Sequence, residues 1–181
     1  MVRRLCLAAL LLALPITGGA TVLLPIELRE LVSVSTAIVH GRVVDVHADW
    51  ADGRRAVETR VTVDAVEYMK GSLGGTITVQ VPGGQIGRYR TIFVGAPEFH
   101  QGDEVVLFLR RYNGALSVVG VSQGAFRVSA DARRIVSSAV VVAVPGAAPE
   151  PVIRGDVARR PLAIDAFRDL VGRIVAEGTG R

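Results

Sequence analysis

Residues 57–65, Val-Glu-Thr-Arg-Val-Thr-Val-Asp-Ala, decide the fold class of this 181-residue chain. Small or apolar residues stand at every second position, and Glu58, Arg60, Thr62 and Asp64 stand between them. A two-residue period gives a β-strand one dry face and one solvated face. The stretch therefore predicts a half-buried strand, and the same period continues on either side of it for about a hundred residues.

Upstream of this strand, residues 37–47 form an apolar-rich stretch with Gly41 near its centre. A glycine inside a strand indicates a bend, and the adjacent pair Val43-Val44 shifts the alternation by one residue, as a bulge does. Asp52-Gly53 then predicts a tight turn. Residues 37–65 are therefore expected to form a hairpin whose first strand is bent.

Downstream, the alternation returns at Ile77, Val79 and Val81 and stops at Pro82-Gly83-Gly84. A further strand is predicted at 105–109, and Asn113-Gly114 predicts a two-residue hairpin turn after it. The remaining strands are expected at 116–121, 126–128 and 135–144. Residues 85–103 carry only scattered apolar positions, among them Ile92, Phe93 and Val94, and predict no regular element.

A helix is predicted at each end of this β-rich region. Residues 25–32 have apolar side chains at helical spacing, and Pro25 suits a first helical position. Residues 162–177 form an amphipathic pattern, with Asp165 near the start and Gly178 just past the end. The four prolines within residues 145–161 predict an exposed connection before this second helix.

Residues 1–20 have the layout of a secretory signal peptide. Arg3 and Arg4 precede the apolar run Leu5–Leu14, and Gly18-Gly19-Ala20 supplies the small residues of a cleavage site. A membrane anchor or a buried helix is the alternative, but the apolar run is short for an anchor. We therefore expect cleavage after Ala20, a periplasmic or extracellular location, and no membrane-spanning segment in the mature chain.

Removal of this leader changes the chemistry available to the protein. Cys6 is the only cysteine, so the mature chain has neither disulfides nor thiol chemistry. The loss of Arg3 and Arg4 lowers the formal net charge from +4 to +2. So small an excess of positive charge does not indicate a nucleic-acid partner.

Short strands joined by glycine turns, with a helix at each end, predict a mainly β fold. We expect a closed or partly open antiparallel OB-like barrel over residues 21–144, with a short N-terminal helix and a C-terminal amphipathic helix packed on or beside it. A two-sheet sandwich is the alternative. The bent first strand favours the barrel, because one bent strand can serve both of its sides.

Three stretches then show a resemblance: residues 37–43, residues 67–71 and residues 102–109. Their order resembles the netrin-like module shared with tissue inhibitors of metalloproteinases. Two further segments, Pro82-Gly83-Gly84 and Gly120-Val121-Ser122-Gln123-Gly124-Ala125-Phe126, are similar to segments of bacterial exported domains. The resemblance implies an OB-type barrel with flanking helices. It does not imply the inhibitory mechanism, which needs an N-terminal cysteine, whereas this mature chain would begin at Thr21.

Few residues suggest catalysis. His40 and His47 lie on one predicted strand, and a single bulge between them would bring them to one face beside Asp45. These three residues are the only candidate metal ligands, and a solvated strand face is the ordinary interpretation of them. No protease, hydrolase or phosphate-binding motif occurs, so we expect no catalytic residues, no enzymatic activity and no cofactor.

The candidate binding residues are Gln85, Arg88, Tyr89 and Arg90, because a tyrosine between two arginines beside glycines can form an exposed contact surface. Trp50, next to the Asp52-Gly53 turn, is expected to plug an end of the barrel, with an exposed anchor as the alternative.

The sequence therefore predicts an exported, non-catalytic module that binds a protein or an extracellular polymer, and a protease is one such partner. Its binding surface is expected in the loops 82–89 and 95–101. A metal-dependent hydrolase and a structural component of an envelope assembly, docked by the C-terminal helix, remain as alternatives.

Overall fold

The computed structural model describes residues 26–131, 134–138 and 161–179. The predicted leader (1–20), residues 139–144 of the last predicted strand and all of the predicted connection except Pro161 lie outside these ranges. In chain order the described elements are α1 (Leu28–Val34), β1 (Ala37–Ala51), a 3₁₀ turn (Asp52–Arg54), β2 (Ala56–Lys70), β3 (Thr76–Pro82), β4 (Gly84–Ile86), β5 (Tyr89–Thr91), β6 (Glu104–Tyr112), β7 (Ala115–Val118), β8 (Ala125–Val128), β9 (Ile135–Ser138), β10 (Leu162–Ala163) and α2 (Ile164–Thr179).

Five strands pair in a ring. The order is β1-β2-β3-β7-β6, and β6 pairs with β1 to complete the circle. β8, β9 and β10 extend the same sheet beyond β6, while β4 and β5 form a separate two-stranded hairpin. The mainly β prediction is thus confirmed.

The prediction of an entirely antiparallel sheet is wrong at one pair, because β3 and β7 run parallel. The reason is geometric. Strand directions can alternate around a closed ring only when the number of strands is even, so a ring of five needs at least one parallel pair. Here that pair is short, with Val79 opposite Leu116 and Gln80 opposite Ser117.

β6 is buried on both faces. Val105, Leu107 and Leu109 belong to a cluster with the inward residues of the other ring strands, whereas Val106 and Phe108 belong to a second cluster with the two helices. In the second cluster the rings of Phe108, Phe126 and Phe167 pack together with centroids 5.2–6.4 Å apart. The uninterrupted apolar run of β6 is therefore explained by a core on each side of the strand.

The irregularities predicted in the first strand are confirmed. The β1–β2 register shifts between His40 and Gly41 and again between Val43 and Asp45, with Val44 as the extra residue. A side chain at Gly41 would lie 2.5 Å from the carbonyl oxygen of Asp64, so the two strands approach too closely there for any other residue. The bend lets β1 pair with β2 from Ile38 to Ala51 and with β6 over residues 37–42.

Both helices begin later than predicted. α1 starts at Leu28, because a tertiary contact fixes the preceding chain: the side-chain oxygen of Gln123 accepts the N–H of Ile26 at 2.7 Å. α2 starts at Ile164, since Leu162 and Ala163 pair with β9 instead. It continues to Thr179, so Gly178 lies in its last turn. Within the described ranges, no helix has the length and apolarity that crossing a bilayer requires.

The segment 120–126 serves the fold. A side chain at Gly120 would collide with Ile26, and one at Gly124 would lie 2.8 Å from the carbonyl oxygen of Val119. Gln123 holds Ile26, and Phe126 is in the helix-side cluster. The Gly-Xaa-Xaa-Gln-Gly-Xaa-Phe pattern is therefore explained by packing between the ring and the N-terminal segment.

The C-terminal helix is part of the core, because Phe167 is 1% exposed and Val171 is fully buried. We expect Phe167→Ala to lower the free energy of unfolding by about 3–5 kcal/mol, since a large buried ring is removed. Asp169→Ala, at an exposed position of the same helix, should change it by less than about 0.5 kcal/mol. Urea unfolding of both variants tests this, and equal, small effects would contradict a core role for the helix.

Candidate functional site

The two loops that the sequence singled out line one groove. Gly84, Gln85 and Arg90 contribute from the β4–β5 hairpin, and Ala96, Glu98 and His100 contribute from the connection to β6. The groove has a volume of about 390 Å³. We call it the rim groove. Its volume falls within the range of known ligand sites, about 300–1,000 Å³.

Threonines of β2 and β5 fix the hairpin wall. The hydroxyl of Thr59 donates to the carbonyl oxygen of Gly83 at 2.8 Å, and the hydroxyl oxygen of Thr91 accepts the N–H of Val57 at 2.9 Å. Gly84, with φ +147°, lies so close to β2 that a side chain there would be 2.7 Å from the Thr59 hydroxyl. The glycines after Pro82 therefore let the hairpin lie directly against the β1–β2 ribbon.

The four predicted binding residues are all exposed and all belong to this hairpin. Gln85 pairs with Arg90 across it, and both line the groove. Arg88 and Tyr89 are at the tip, where the guanidinium carbon of Arg88 lies 5.2 Å from the ring centre of Tyr89 and the Arg88 Nη2 lies 3.1 Å from the tyrosine hydroxyl. The hairpin thus presents two different surfaces, a groove wall and a tip.

Trp50 is not the plug that its position in the sequence suggested. Its side chain is only partly buried, and its ring meets Tyr89 edge-on, with centroids 5.3 Å apart and an interplanar angle of 65°. Such an aromatic pair stabilises by about 0.5–1.5 kcal/mol beyond area burial. It holds the hairpin tip beside the turn that joins β1 to β2.

Sequence reasoning assigned no role to Ile92, Phe93 and Val94, which are 72%, 49% and 74% exposed. Ile92 and Phe93 line the rim groove, and Phe93 also lines a neighbouring groove of about 480 Å³ with Tyr112. The sequence did contain one signal of this surface, namely three consecutive apolar residues between polar and glycine-rich segments. The tertiary structure shows that all three side chains are exposed.

Arg127, from β8, anchors the other wall of the groove. Its guanidinium donates to the Asp103 carboxylate at 3.0 Å and to the carbonyl oxygen of Glu98. The same carboxylate accepts the N–H of His100 at 2.9 Å. Asp103 and its neighbour Glu104 therefore have different partners and do not form a carboxylate pair.

Glu104 belongs to a second polar cluster under the helices. The Nε2 of His40, a residue 2% exposed, lies 2.7 Å from the Glu104 carboxylate, and Arg134 contacts the same oxygen. The Nδ1 of His40 is buried without a hydrogen-bond partner among the described residues. Burial alone would raise the pKa of Glu104, but the hydrogen bonds and charges of Arg134 and His40 outweigh it and lower that pKa.

The metal hypothesis for His40, His47 and Asp45 is not supported by their positions. The expected bulge at Val44 is present, but His40 is buried whereas His47 and Asp45 are exposed. Seven residues of strand also separate the two histidines by roughly 20 Å at about 3.3 Å per residue. Across the described parts of the chain, no three His, Cys, Asp or Glu side chains converge as a metal site.

The lowered pKa of Glu104 predicts a pH-dependent stability. Because the carboxylate is favoured in the fold, its contribution is complete above the pKa of the unfolded chain and is lost as the pH falls through the folded value. We expect Glu104→Gln to reduce the free energy of unfolding at pH 7 by about 1.5–3 kcal/mol, and this difference should shrink toward pH 3. Urea unfolding at both pH values is the measurement. Glu30→Gln is the exposed control, and a difference independent of pH would contradict the assignment.

Comparison with known proteins assigns no family to these features. No family model matches the chain, and no curated protein matches it either.

Proposed function

We propose that this chain is an exported, non-catalytic binding module that recognises a partner protein or an extracellular polymer through the rim groove. One observation carries the proposal. The β4–β5 hairpin and the connection to β6 converge on one groove, and exposed apolar residues stand at its edge. Protein surfaces that expose neighbouring apolar residues commonly mark interaction sites.

The strand arrangement supports an OB-like fold for the module. Five strands pair in a ring, with β1 between β2 and β6, and a helix covers one side of that ring. OB-type domains are five-stranded, partly open barrels that bind through a strand face and the loops at its edge. In this proposal the rim groove is such a loop-framed surface, and the netrin-like resemblance of residues 37–43 and 102–109 agrees with it.

Export is proposed on the composition of residues 1–20 alone. The basic head, the apolar run and the small residues before Thr21 form the three parts of a signal peptide. A secreted protease is one partner that the netrin-like resemblance suggests. The contact would have to differ from that of the cysteine-dependent inhibitors, because the mature chain has no cysteine.

The physical basis of binding is the apolar edge of the groove. Covering a fully exposed isoleucine or valine side chain contributes about 1.5–3 kcal/mol to association. Ile92 and Val94 are each more than 70% exposed, so a partner that covers both gains substantially. The hairpin is clamped by Thr59 and Thr91 and braced by Trp50, which keeps the surface preorganised.

The export proposal predicts the mass of the mature protein. When the full chain is expressed in a bacterium with an intact secretion pathway, the periplasmic or culture fraction should contain a protein that begins at Thr21. Intact-mass spectrometry measures this directly. Ala20→Arg should block processing at that site, and recovery of the exported protein with Met1 retained would contradict the proposal.

The groove proposal predicts a loss of binding without a loss of folding. In affinity capture from the exported-protein fraction of the source organism, Ile92→Ser and Tyr89→Ala should each reduce capture of the principal partner at least about tenfold, since Ile92→Ser removes apolar contact area at the groove and Tyr89→Ala removes the Trp50 contact that braces the hairpin. Quantitative mass spectrometry of the captured proteins is the measurement.

Val66→Ser is the matched control for this experiment. Val66 is 68% exposed and lies on β2, outside the residues that line the groove. The Val66→Ser substitution should leave both the amount of captured partner and the thermal stability of the protein unchanged. If the same partners are captured equally by Ile92→Ser, Tyr89→Ala and Val66→Ser, the rim groove is not the binding surface.

A further inference from the structure

Four exposed arginines belong to the β4–β5 hairpin or to the turn between β1 and β2. Arg88 and Arg90 belong to the β4–β5 hairpin. Arg54 and Arg55 belong to the turn between β1 and β2, which the contact between the Trp50 and Tyr89 rings joins to the hairpin. None of these four forms an ion pair with any described residue. Six other described arginines form ion pairs, namely Arg29, Arg42, Arg60, Arg127, Arg134 and Arg168, whereas Arg110, Arg111 and Arg173 do not. We call Arg54, Arg55, Arg88 and Arg90 the arginine tip.

Three acidic side chains of this region, those of Asp49, Glu58 and Glu98, are engaged elsewhere or lie across the groove. Arg60 pairs with Asp49 at 2.8 Å, and the Gln80 side chain donates to Glu58 at 2.8 Å. Glu98 lines the opposite wall of the rim groove. The groove therefore has a positive end at the hairpin and a negative charge on its far wall, which gives a bound chain a preferred direction.

The main chain beside the groove is also available for pairing. Among the described strands, β5 pairs with β4 alone. Beyond Thr91, the backbone groups of Ile92 and Val94 form no hydrogen bond within the described part of the protein. An extended peptide can add to such an edge, where main-chain hydrogen bonds provide affinity and alternate side chains provide specificity.

We infer that the rim groove takes an extended peptide segment of a partner protein, with acidic residues against the arginine tip and apolar residues against Ile92 and Val94. The inference rests on the proposed binding function and specifies its ligand. It unites three independent features: the unpaired arginines, the exposed apolar residues and the unpaired backbone.

A nucleic acid fits this surface less well. Its phosphates would repeat a negative charge along the groove and would meet Glu98, whereas a peptide can place acidic residues at one end only. The tyrosine of the tip is also engaged by Trp50 and Arg88, which reduces the free aromatic surface on which bases stack.

A display library of random twelve-residue peptides tests the inference. Selection on the mature chain, with counter-selection on Ile92→Ser, should enrich peptides that carry acidic residues on one side of an apolar segment. The enriched peptide is then synthesised with a fluorescent label and titrated by anisotropy. A labelled dT12 oligonucleotide, titrated in parallel, is the nucleic-acid probe.

Charge reversal at the tip should then weaken peptide binding specifically. We expect Arg90→Glu and Arg55→Glu each to raise the Kd about tenfold at low salt and to reduce its dependence on salt concentration, since each removes one charge contact and adds a repulsion. Arg173→Glu changes the net charge equally at an exposed position of α2 and should have no effect.

The outcomes separate this inference from the function on which it rests. Enriched peptides without acidic residues, or a Kd unaffected by the tip variants, would overturn the charge-directed ligand while leaving groove binding intact. If the selection enriches no peptide whose binding depends on Ile92, the inference of a peptide ligand is overturned. Groove-dependent capture of a folded protein would still support the binding function. Tip-dependent binding of dT12 in place of peptide would overturn the inference in favour of a nucleic acid.

Discussion

The pairing of β1 with β6 is the constraint on which the rest of the structure depends. It closes the ring of five strands, and it places β6 between the two hydrophobic clusters. Without this pairing, the inward side chains of β6 would no longer pack inside a closed ring. Phe108 would also lose its contacts with Phe126 and Phe167. Because β1 must also pair with β2, its bend at Gly41 is a requirement of the same closure.

Closure of the ring also determines which segments remain exposed. One side of the sheet is covered by the helices, and the ring interior is filled by valine, leucine and isoleucine. The longest connection between ring strands, from Pro82 to Glu104, is left at the rim. Thr59, Thr91 and Arg127 give this connection a defined shape through hydrogen bonds, so a segment without much secondary structure becomes the two walls of a groove.

Polar side chains in this protein mainly organise the places where segments meet. Gln123 attaches the N-terminal segment to the ring, Arg127 attaches the connection to β8, and Glu104 gathers His40 and Arg134 beneath the helices. The arginine tip differs from these contacts, because none of its four exposed side chains forms an ion pair with a described residue. The contact between Trp50 and Tyr89 brings together the hairpin and the turn that carry these four charges.

Local sequence was sufficient wherever a short-range rule decides the structure. The two-residue period of 57–65, the turns at Asp52-Gly53 and Asn113-Gly114 and the bulge at Val44 were all foreseeable, because backbone sterics and alternation act over a few residues. The exposure of Gln85, Arg88, Tyr89 and Arg90 was foreseeable from the charges and glycines around them. The β4–β5 hairpin that carries them was not, because residues 85–103 show no regular alternation. Tertiary structure alone decided which distant segments meet: the parallel β3–β7 pair, Glu104 with His40, Trp50 with Tyr89, and the exposed edge at Ile92. Such contacts depend on how the ring closes, and ring closure is a property of the whole chain that no window of neighbouring residues contains.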